Sequence, residues 1–406
     1  MKMLFISSLY YPNQLGGAEK VVRSVAEGML EHGHESVVIT MHDEPRDRTD
    51  QVGGVKVHYI GMKNIYWPYS HQERPGIAKA LWHGINRYNP LMGRAVARVL
   101  QAEEPDVVNT HNLTGFSCAA WDAVVSRRLP LIHTLHDYAL MCPRTSMFRG
   151  GENCQGQCTM CALYTSPSKR LSRAVSHVVG VSRFTLDRHL AAGYFQEVPA
   201  QVIHNGIPGK PASGSRQDRP DGPLQLGYVG HLLPQKGIRE LIRQMADWQC
   251  GECELIVAGK GAPAYEALLR AEAPNNVRFV GFVDPDEVYS AIDLLVVPSL
   301  SNEALGMIVP EAYMHGVPVI VSRRGGLPET VEEGRTGLTY EPHEPGALRE
   351  AVNVFLQDRP ILHDMRLAAM TKAKHFQQRR MQAEYLGLMA GATAARTTGS
   401  ESRMSA

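Results

Sequence analysis

The chain has 406 residues, of which 44% are hydrophobic and 20% are charged. This composition is typical of a folded globular protein, and the length predicts two or three domains rather than one core. Lys and Arg number 42 against 41 Asp and Glu, a formal net charge of +1. The overall charge therefore gives no reason to expect a polyanionic partner, and nucleic acid is excluded as the default ligand.

The N-terminus reads MKMLFISSLYYPNQ, in which the apolar run is too short for the apolar core of a signal peptide. No apolar run in the sequence approaches the roughly 20 residues that a transmembrane helix requires. We therefore expect a cytoplasmic protein whose seven cysteines are mostly reduced.

Short β-branched runs alternate with stretches of helical period in the first half of the chain. The runs are MLFISS, ESVVIT, VKVHYI, PDVVNT, LPLIHTL, SHVVGVS and AQVIHN, and the helical AEKVVRSVAEGMLEHG follows the first of them. Continuously apolar strands separated by helices indicate a parallel sheet built from βαβ units. Residues 1–205 are therefore predicted to form one doubly wound domain.

A second domain is predicted after a break in this pattern. Residues 206–223 are rich in Gly, Pro, Ser and charge, which is typical of a linker. The alternation restarts over 224–372 with LQLGYVG, CELIVAG, NVRFVG, DLLVVPS, VPVIVS and TGLTY. We expect a helix over 373–392 that returns to the first domain, and a disordered tail over 393–406. Ligands of such open sheets bind beyond the carboxyl ends of the strands, so a cleft between the two domains is the expected site.

Gly16 and Gly17 lie between the first predicted strand and a helix that starts near Ala18. Glycines at this place let the backbone approach a ligand, and the helix N-terminus presents unpaired N–H groups to an anion. The spacing is not the G-x-G-x-x-G of a dinucleotide fold, and a simple tight turn explains the pair equally well.

The same arrangement recurs in GYVGHLLPQKGIRELI, where Gly230 ends a strand and Lys236 opens a helix. The helix dipole disfavours a lysine at a helix start, so a bound anion that the lysine neutralises explains its presence. The alternative is a solvated loop lysine with no ligand.

The stretch VPSLSNEALGMIVPEAYMHGVP contains two glutamates eight positions apart, Glu303 and Glu311. The strand LLVVPS places Glu303 in the loop beyond its carboxyl end. Pro310 is tolerable only in a first turn, so Glu311 lies about one turn into the next helix. The peptide N–H groups that would bind a phosphate between the two carboxylates are those of Leu305, Gly306 and Met307. The carboxylates suit the hydroxyls of a nucleotide-sugar, although ion pairs with a purely structural role are the alternative.

Together these motifs resemble glycosyltransferase family 4, whose members are retaining enzymes of the GT-B fold with two Rossmann-like domains facing across a cleft. The resemblance covers nearly the whole chain, in order. It is carried by Gly16-Gly17, VGHLLPQKG, VAGKG at 257–261, NVRFVGFV, the Glu303 and Glu311 pair, and GGLPE at 325–329.

The resemblance implies a role for each matching residue. Glu311 would accept hydrogen bonds from the ribose of the donor, and Glu303 would contact hydroxyls of the transferred sugar. Lys236 would neutralise the diphosphate, and His111, in VVNTHNL, would approach the sugar ring. Gly16 and Gly17 would let the first domain close over the phosphates and the acceptor, and the donor-binding set is completed by Gly230, Gly259, Leu305, Gly306 and Met307.

Two positions depart from the family pattern. His231 stands where the family usually has arginine, and a histidine is only partly charged near neutral pH, so Lys236 would carry more of the diphosphate contact. Ile308 stands where the family usually has proline. The resemblance also implies transfer without a metal or a protein nucleophile: Lys236, His231 and helix amides would stabilise the leaving diphosphate while the acceptor hydroxyl attacks on the same face.

Four cysteines lie within twenty positions of CPRTSMFRGGENCQGQCTMC: Cys142, Cys154, Cys158 and Cys161. A Gly-rich loop that ends in C-x-x-C would hold a structural zinc or an iron–sulfur cluster. The other spacings are not those of a zinc ribbon, so a loop of reduced thiols without metal is the alternative.

Two further segments have open interpretations. His133, His136 and Asp137 follow a predicted strand end and either face the acceptor side of the cleft or pack in the core. The segment HQERPGIAKALWHGINRYNPLMGRAVARVL mixes basic with aromatic and leucine side chains. It would rest on an anionic membrane, grip a lipid-diphosphate acceptor, or pack as an ordinary amphipathic helix on the first domain.

The sequence thus predicts a retaining, metal-independent hexosyltransferase that uses a nucleotide-diphosphate sugar. The acceptor would be a hydroxyl of a glycan, a lipid-linked or a small molecule in bacterial cell-surface polysaccharide assembly, with a peripheral contact to the inner membrane. The alternatives are a GT-B partner protein that has lost transfer and a metal-binding interaction module built on the cysteine loop. The donor base, sugar, acceptor and linkage do not follow from the sequence.

Overall fold

The computed structural model describes residues 1–13, 16–70, 72–209, 222–248 and 251–404, with side chains as far as Arg396. The chain forms two compact units. Unit 1 comprises Met1–Met147, Gln155–Gly206 and Gln378–Ala406, and unit 2 comprises Phe148–Cys154 and Ile207–Gln377. The chain therefore enters unit 2 twice, first briefly and then for most of its second half.

The strands of the described residues are β1 (Lys2–Ile6), β2 (Glu35–His42), β3 (Arg48–Val52), β4 (Val55–Gly61), β5 (Val107–Thr110), β6 (Leu131–Leu135), β7 (Phe148–Arg149), β8 (Glu152–Asn153), β9 (His177–Gly180), β10 (Ala200–Val202), β11 (Leu224–Val229), β12 (Cys253–Ala258), β13 (Val277–Gly281), β14 (Leu294–Val297), β15 (Val319–Ser322) and β16 (Gly337–Tyr340). The helices are α1 (Gly17–Glu31), α2 (Gly76–Arg87), α3 (Pro90–Glu103), α4 (Ala119–Val125), α5 (Thr159–Leu171), α6 (Arg183–Ala191), α7 (Ile238–Gln244), α8 (Pro263–Glu272), α9 (Pro285–Ala291), α10 (Ile308–Met314), α11 (Leu327–Thr330), α12 (Ala347–Gln357), α13 (Ile361–Ala373) and α14 (Gln378–Met404).

Unit 1 is built on an eight-stranded sheet with the order β10-β9-β6-β5-β1-β2-β4-β3. Its strand pairs are parallel except for β3 with β4. The central strand β1 is apolar and buried from Met3 onward, whereas the edge strand β3 (RTDQV) is polar and largely exposed, as an edge requires. The strand order changes direction at β1 and β5, so ligands are expected beyond the carboxyl ends of these two strands.

Unit 2 is built on a parallel six-stranded sheet with the order β13-β12-β11-β14-β15-β16. Counted from β11, this is the order 3-2-1-4-5-6 of a doubly wound Rossmann fold. Its central strands LQLGYV and LLVV are almost entirely buried, because helices cover both faces. The order reverses between β11 and β14, which makes the loops after these strands the expected ligand site. The predicted fold class, two Rossmann-like α/β domains, is confirmed.

The C-terminal helix α14 belongs to unit 1. Met381, Tyr385 and Met389 are completely buried in one cluster with side chains of β1 and α1. The Gln382 amide donates to the carbonyl oxygen of Ser24 at 2.7 Å. Burying three such side chains is worth several kcal/mol, at about 1.5–3 kcal/mol each, so α14 is part of the unit 1 core.

The observed boundaries differ from the predicted ones in several places. Residues 148–154 lie in unit 2 although the predicted first domain runs unbroken over 1–205. Unit 2 extends to Gln377, beyond the predicted 224–372, and the helix predicted over 373–392 begins at Gln378.

The tail predicted as disordered over 393–406 continues α14 as far as Met404. Alanines at 392, 394 and 395 are strong helix formers, and Ala392 is buried in the unit 1 core, which explains the continuation. Most of the predicted linker 206–223, namely 210–221, and residues 405–406 lie outside the described residues. In the part of the chain that is described, no helix is long and apolar enough to cross a membrane.

Candidate functional site

Two loops meet at the point where the strand order of unit 2 reverses. The loop after β11 ends in a short 3-10 turn, Pro234–Lys236, and the loop after β14 runs from Ser299 to Glu303. The carbonyl oxygen of Gln235 accepts from the N–H groups of Leu300 and Ser301, at 2.9 and 3.1 Å. The backbones of the two loops are therefore held together, and their side chains share one edge of the sheet.

Lys236 and Glu303 form an ion pair at this edge. Lys236 Nζ lies 2.6 Å from Glu303 Oε1, and the hydroxyl of Ser299 donates to the same oxygen at 2.6 Å. The lysine side chain is 32% exposed and the glutamate 16%. Glu303 Oε2 accepts no hydrogen bond from the described residues, so half of the carboxylate is available to a ligand.

Glycines let two pairs of backbone segments approach closely at this edge of the sheet. A Cβ at Gly259, where φ is +148°, would lie 1.8 Å from the carbonyl oxygen of Gly230. A Cβ at Gly325 would lie 2.1 Å from the carbonyl oxygen of Glu303. Any side chain at either position would push the loops apart. Gly230 and Gly259, which the sequence predicts to contact a ligand, thus have at least this structural role.

Helix α10 begins at Ile308, as the position of Pro310 predicts. The N–H groups of Leu305, Gly306 and Met307 lie between Glu303 and this helix. Among the described residues they donate to no protein acceptor. Three free N–H groups before a helix, beside a lysine, form a place where an anion would be stabilised.

Glu311 lies in the first turn of α10, and the buried hydroxyl of Tyr289 donates to its Oε2 at 3.2 Å. Burial, and then the charge of Glu311, raises the pKa of Tyr289 well above its usual value. Tyr289 therefore stays a neutral donor that orients the carboxylate. Neither Tyr289 nor Ser299 was found from the sequence; Ser299 directly follows a strand, but Tyr289 lies in α9 with no local signal.

His231 follows Gly230, and its side chain is exposed. Its carbonyl oxygen accepts from the Tyr228 hydroxyl at 2.7 Å, which fixes the backbone there. Among the described residues no hydrogen bond or ion pair joins its ring to Lys236 or Glu303. The structure thus brings Lys236 and Glu303 together but leaves His231 apart.

His111 follows β5 at the edge where the strand order of unit 1 reverses. Its Nδ1 lies 2.8 Å from Nε2 of His136; His111 is buried and His136 is half-buried. Burial lowers the pKa of His136 to about 4, and burial together with the neighbouring His136 and His133 lowers that of His111 well below its usual value. The pair is therefore neutral at physiological pH. His111 Nε2 is buried and has no hydrogen-bond partner among the described residues.

A cavity of about 60 Å³ opens beside these rings and is lined by His111, His133, His136 and Asp137 among others. Burial raises the pKa of Asp137 from 3.8 to about 6. This carboxyl accepts from the N–H of Ala139 at 2.7 Å and from the Asn112 amide at 3.3 Å. His133 is buried against Thr110 Oγ1 at 2.8 Å. All three of these predicted residues line the cavity, and His133 is also buried in the core.

Gly16 and Gly17 stand at the start of α1, near the same edge of unit 1. Gly16 is the N-cap residue, and its N–H donates to the Glu19 carboxylate at 2.9 Å. Its φ of −151° is extended backbone that any residue adopts. Local conformation therefore does not require glycine at 16, and its role in ligand approach stays a prediction.

The four cysteines divide between the units. Cys142 and Cys161 lie in unit 1 with their sulfur atoms 3.7 Å apart, and the exposed Cys158 is the N-cap residue of α5. Cys154 ends the segment that belongs to unit 2. Burial, then the neighbouring Cys158 and Cys142, raises the pKa of Cys161 to about 12. Among the described residues no group of three or more His, Cys, Asp or Glu side chains is arranged to hold a metal ion.

Comparison with known families divides the chain at nearly the same place. The family described as "Glycosyltransferase Family 4" matches residues 15–208, and "Glycosyl transferases group 1" matches residues 211–372. An uncharacterized 42.6 kDa protein in the cps region of Klebsiella pneumoniae is 29% identical over 331 residues, which cover 81% of this chain and 87% of the relative.

Two solved structures have the same fold over almost the whole chain. Sucrose-phosphate synthase from Thermosynechococcus elongatus has a TM-score of 0.75 at 20% identity, covering 97% of this chain and 99% of its own. HepE of Anabaena, solved in complex with UDP and glucose, has a TM-score of 0.69 at 21% identity, covering 96% and 100%.

Proposed function

Since this chain is a GT-B glycosyltransferase of the family 4 type, we propose that it transfers a hexose from a nucleotide-diphosphate sugar to an acceptor hydroxyl with retention of configuration. The observation that carries the proposal is the contact of Lys236 with Glu303, 2.6 Å long, beside the three free N–H groups of residues 305–307. A cation, an anion-binding backbone and a half-free carboxylate meet there, and a sugar diphosphate needs all three.

When the donor binds, Lys236 and Glu303 would exchange part of their mutual contact for contacts with the donor. Its diphosphate attracts Lys236 and accepts hydrogen bonds from the N–H groups before α10. Lys236 would then share its charge between the phosphate and Glu303, whose oxygens turn to the sugar hydroxyls. Glu311, whose carboxylate accepts a hydrogen bond from Tyr289 at 3.2 Å, lies in the first turn of α10 and would bind the ribose.

The chemical step we propose breaks the bond between the anomeric carbon and the diphosphate oxygen, and forms a bond from that carbon to the acceptor oxygen on the same face. The acceptor proton passes to the departing diphosphate. Lys236 and the loop amides stabilise the negative charge that develops on the leaving group, which is where preorganised donors act most strongly. The chain's own residues then supply this stabilisation without a metal.

A UDP-hexose is the donor to test first, because HepE has been solved with UDP and glucose. In EDTA, thermal unfolding with UDP-, GDP-, ADP- and dTDP-sugars should show stabilisation by one base. A ligand at a hundred times its dissociation constant adds about 2.7 kcal/mol. NMR of the product's anomeric proton then decides retention. No stabilisation by any donor, or an inverted product, would contradict the proposal.

Two helices of unit 1 support a lipid-linked acceptor at the cytoplasmic face of a membrane. In α2 only Trp82 is buried, while Ile77 is 78% and Leu81 59% exposed. The neighbouring α5, joined to α2 by a 3.0 Å hydrogen bond from Asn86 to Tyr164, buries only Thr165.

Within the sequence segments of these helices the charges are of one sign: residues 74–102 and 153–186 contain lysines and arginines but no Asp or Glu. Asp122 of α4 accepts a hydrogen bond from Tyr88 at the end of α2, so cations predominate there but are not the sole charges. Exposed apolar side chains on a mainly cationic surface suit anionic lipid.

The other predicted interpretation, an ordinary helix packed on the first domain, holds for α3, which buries Met92, Val96 and Leu100. In α2 such packing would bury Ile77 and Leu81, and both are exposed. The match to a protein in a cps region supports a role in cell-surface polysaccharide assembly.

Vesicle sedimentation tests this surface. The protein should bind phosphatidylglycerol vesicles more strongly than phosphatidylcholine vesicles, and salt should weaken the binding. Leu81→Ser should reduce it several-fold. The matched control is Leu367→Ser, which changes an exposed leucine of unit 2. Equal binding to both lipids, or equal effects of the two substitutions, would contradict the membrane proposal and leave the transfer proposal unaffected.

A further inference from the structure

The hairpin β7–β8 is an unusual part of unit 2, because it comes from the middle of unit 1's sequence. The chain leaves unit 1 after Met147, forms the hairpin in unit 2, and returns at Gln155. Gly150 and Gly151 connect its two-residue strands and have φ values of +64° and +86°, as a tight two-residue turn requires. So short a hairpin is not stable by itself, and its position depends on what it contacts.

One side chain of the hairpin binds the loop that precedes Glu303. Asn153 Nδ2 donates to the carbonyl oxygen of Leu300 at 2.7 Å, and Asn153 Oδ1 accepts from the N–H of Asn302 at 2.8 Å. The amide thus pairs with backbone groups two residues apart, as a neighbouring β-strand would. A carboxamide offers a donor and an acceptor side by side, so asparagine fits this pair where aspartate or alanine would not.

No other described residue of unit 2 forms a hydrogen bond with the Leu300 carbonyl or the Asn302 N–H. Other contacts fix the loop elsewhere: Gln235 accepts from Leu300 N–H and Ser301 N–H, and the carbonyl oxygen of Ser299 accepts from the Ser322 hydroxyl at 2.6 Å. Among the described residues, only Asn153 bonds the Leu300 carbonyl and the Asn302 N–H. The residue that follows Asn302 is Glu303, whose carboxylate touches Lys236.

We propose that Asn153 is a positioning residue of the transfer reaction, which holds the backbone of Leu300–Asn302 so that Glu303 meets the transferred sugar. The inference rests on the proposed function of Glu303. Without the two hydrogen bonds of Asn153, the loop would sample more conformations, and the Glu303 carboxylate would spend less time in the productive one. The nucleotide part of the donor depends on Glu311 in α10, which Asn153 does not contact, so positioning by Asn153 acts on the sugar.

Steady-state kinetics and nucleotide binding of Asn153→Ala test the proposal. Loss of two hydrogen bonds predicts a fall in kcat/KM for transfer of roughly 10- to 100-fold. Affinity for the free nucleoside diphosphate, measured by calorimetry, should change less than about 2-fold. A merely structural role would lower the fraction of active enzyme but leave kcat/KM per active molecule unchanged, and the binding stoichiometry in the same calorimetry counts the active molecules.

Three further variants keep the result interpretable. Asn153→Asp keeps the acceptor but places a carboxylate against the Leu300 carbonyl, so it should be impaired at least as much as the alanine variant. Glu152→Ala, in the same hairpin and without a contact to the loop, should behave as wild type. Unchanged kcat/KM in Asn153→Ala or Asn153→Asp overturns the positioning role. Glu303→Gln is run in parallel: full activity of that variant contradicts the proposed function itself.

Discussion

The two units present polar groups at equivalent edges of doubly wound sheets, but the groups differ in their burial and charge. At the β1/β5 edge of unit 1 His111 and His136 have lowered pKa values, and the Asp137 carboxyl has a pKa raised to about 6. At the β11/β14 edge of unit 2 Lys236 and Glu303 form an ion pair that is partly exposed. The same topology thus supports uncharged histidines beside one carboxyl in unit 1, and a lysine–glutamate ion pair in unit 2. The first suits uncharged hydroxyls, and the second suits a phosphate.

The largest expected effect follows from breaking the charge pair of unit 2. Lys236→Ala removes the cation that we propose stabilises the leaving diphosphate, and it leaves Glu303 without its partner. Loss of one such stabilising donor costs about 10²–10³ in kcat. Lys236→Arg, which keeps the charge, is the control and should retain much more activity. A fall of less than about 5-fold for Lys236→Ala would remove the lysine from the leaving-group role.

The raised pKa of Asp137 at unit 1's edge predicts that stability depends on pH. Asp137 has its pKa raised from 3.8 to about 6, so the folded state keeps a proton that the unfolded chain releases above pH 3.8. Asp137 therefore lowers stability progressively between about pH 4 and pH 6, and fully above, by at most roughly 3 kcal/mol at 1.36 kcal/mol per pKa unit. Asp137→Asn should gain stability relative to wild type across that window.

Thermal unfolding of both proteins from pH 4 to pH 8 measures this difference. The same scan with Lys236→Ala compares the two edges. Lys236 and Glu303 form a partly exposed ion pair, so the pH 4–6 stability change expected for Asp137→Asn is not expected for this variant. If the difference between Asp137→Asn and wild type is constant over pH 4–6, the carboxyl of Asp137 is not protonated as described.

Glu311 provides a test within unit 2 of whether its second carboxylate also binds the donor. Glu311→Ala should weaken binding of the nucleotide by roughly 1.5–3 kcal/mol, since a charged hydrogen-bond acceptor is lost. Calorimetry with the free nucleoside diphosphate measures it. Glu344→Ala, at an exposed glutamate of the same unit, should bind as wild type does. Equal affinity of the Glu311 and Glu344 variants would remove Glu311 from the ribose.

The smallest expected effect is that of modifying the cysteines, which should leave the rate of transfer unchanged. Cys158 is exposed, whereas Cys142 is buried and Cys161 has a pKa of about 12, so iodoacetamide at pH 8 should modify Cys158 first. Buried Cys118, whose pKa burial also raises to about 12, is the slow reference. Peptide mass spectrometry follows the order. Stoichiometric zinc or iron in the purified protein, with all of these thiols protected, would favour the metal site instead.

The sequence predicts most of the fold because its signals are local. Runs such as LLVV and VIVS have the apolar character of buried parallel strands, and helices alternate with them. The same local signals place Glu303 in a loop and Glu311 on a helix, and both positions agree with the structure. The adjacency of Lys236 and Glu303 follows from sheet order, which the doubly wound pattern supplies.

The sequence does not predict contacts between side chains that are distant along the chain. Tyr289 reaches Glu311 from another helix, and Asn153 reaches Leu300 across almost 150 residues; neither has a periodicity that indicates its partner. The two-residue strands of the hairpin are too short to produce an alternating pattern. Helix α14 runs past residue 392, where the predicted helix ends, and the small polar residues of the tail give no local signal of the packing of Ala392 in the unit 1 core.

The return of α14 to unit 1 makes unit 2 an insertion, with both of its principal connections at one place. Ile207 donates through its N–H to the carbonyl oxygen of Phe376 at 2.8 Å and pairs with Gln377 in a parallel bridge. A protease cut in the linker would therefore not separate the two units, because the second fragment would still contain α14, which belongs to unit 1. The fragment 1–205 would expose the apolar surface that Met381, Tyr385 and Met389 cover, whereas 207–377 would be a module whose two ends already lie side by side, as grafting between relatives requires.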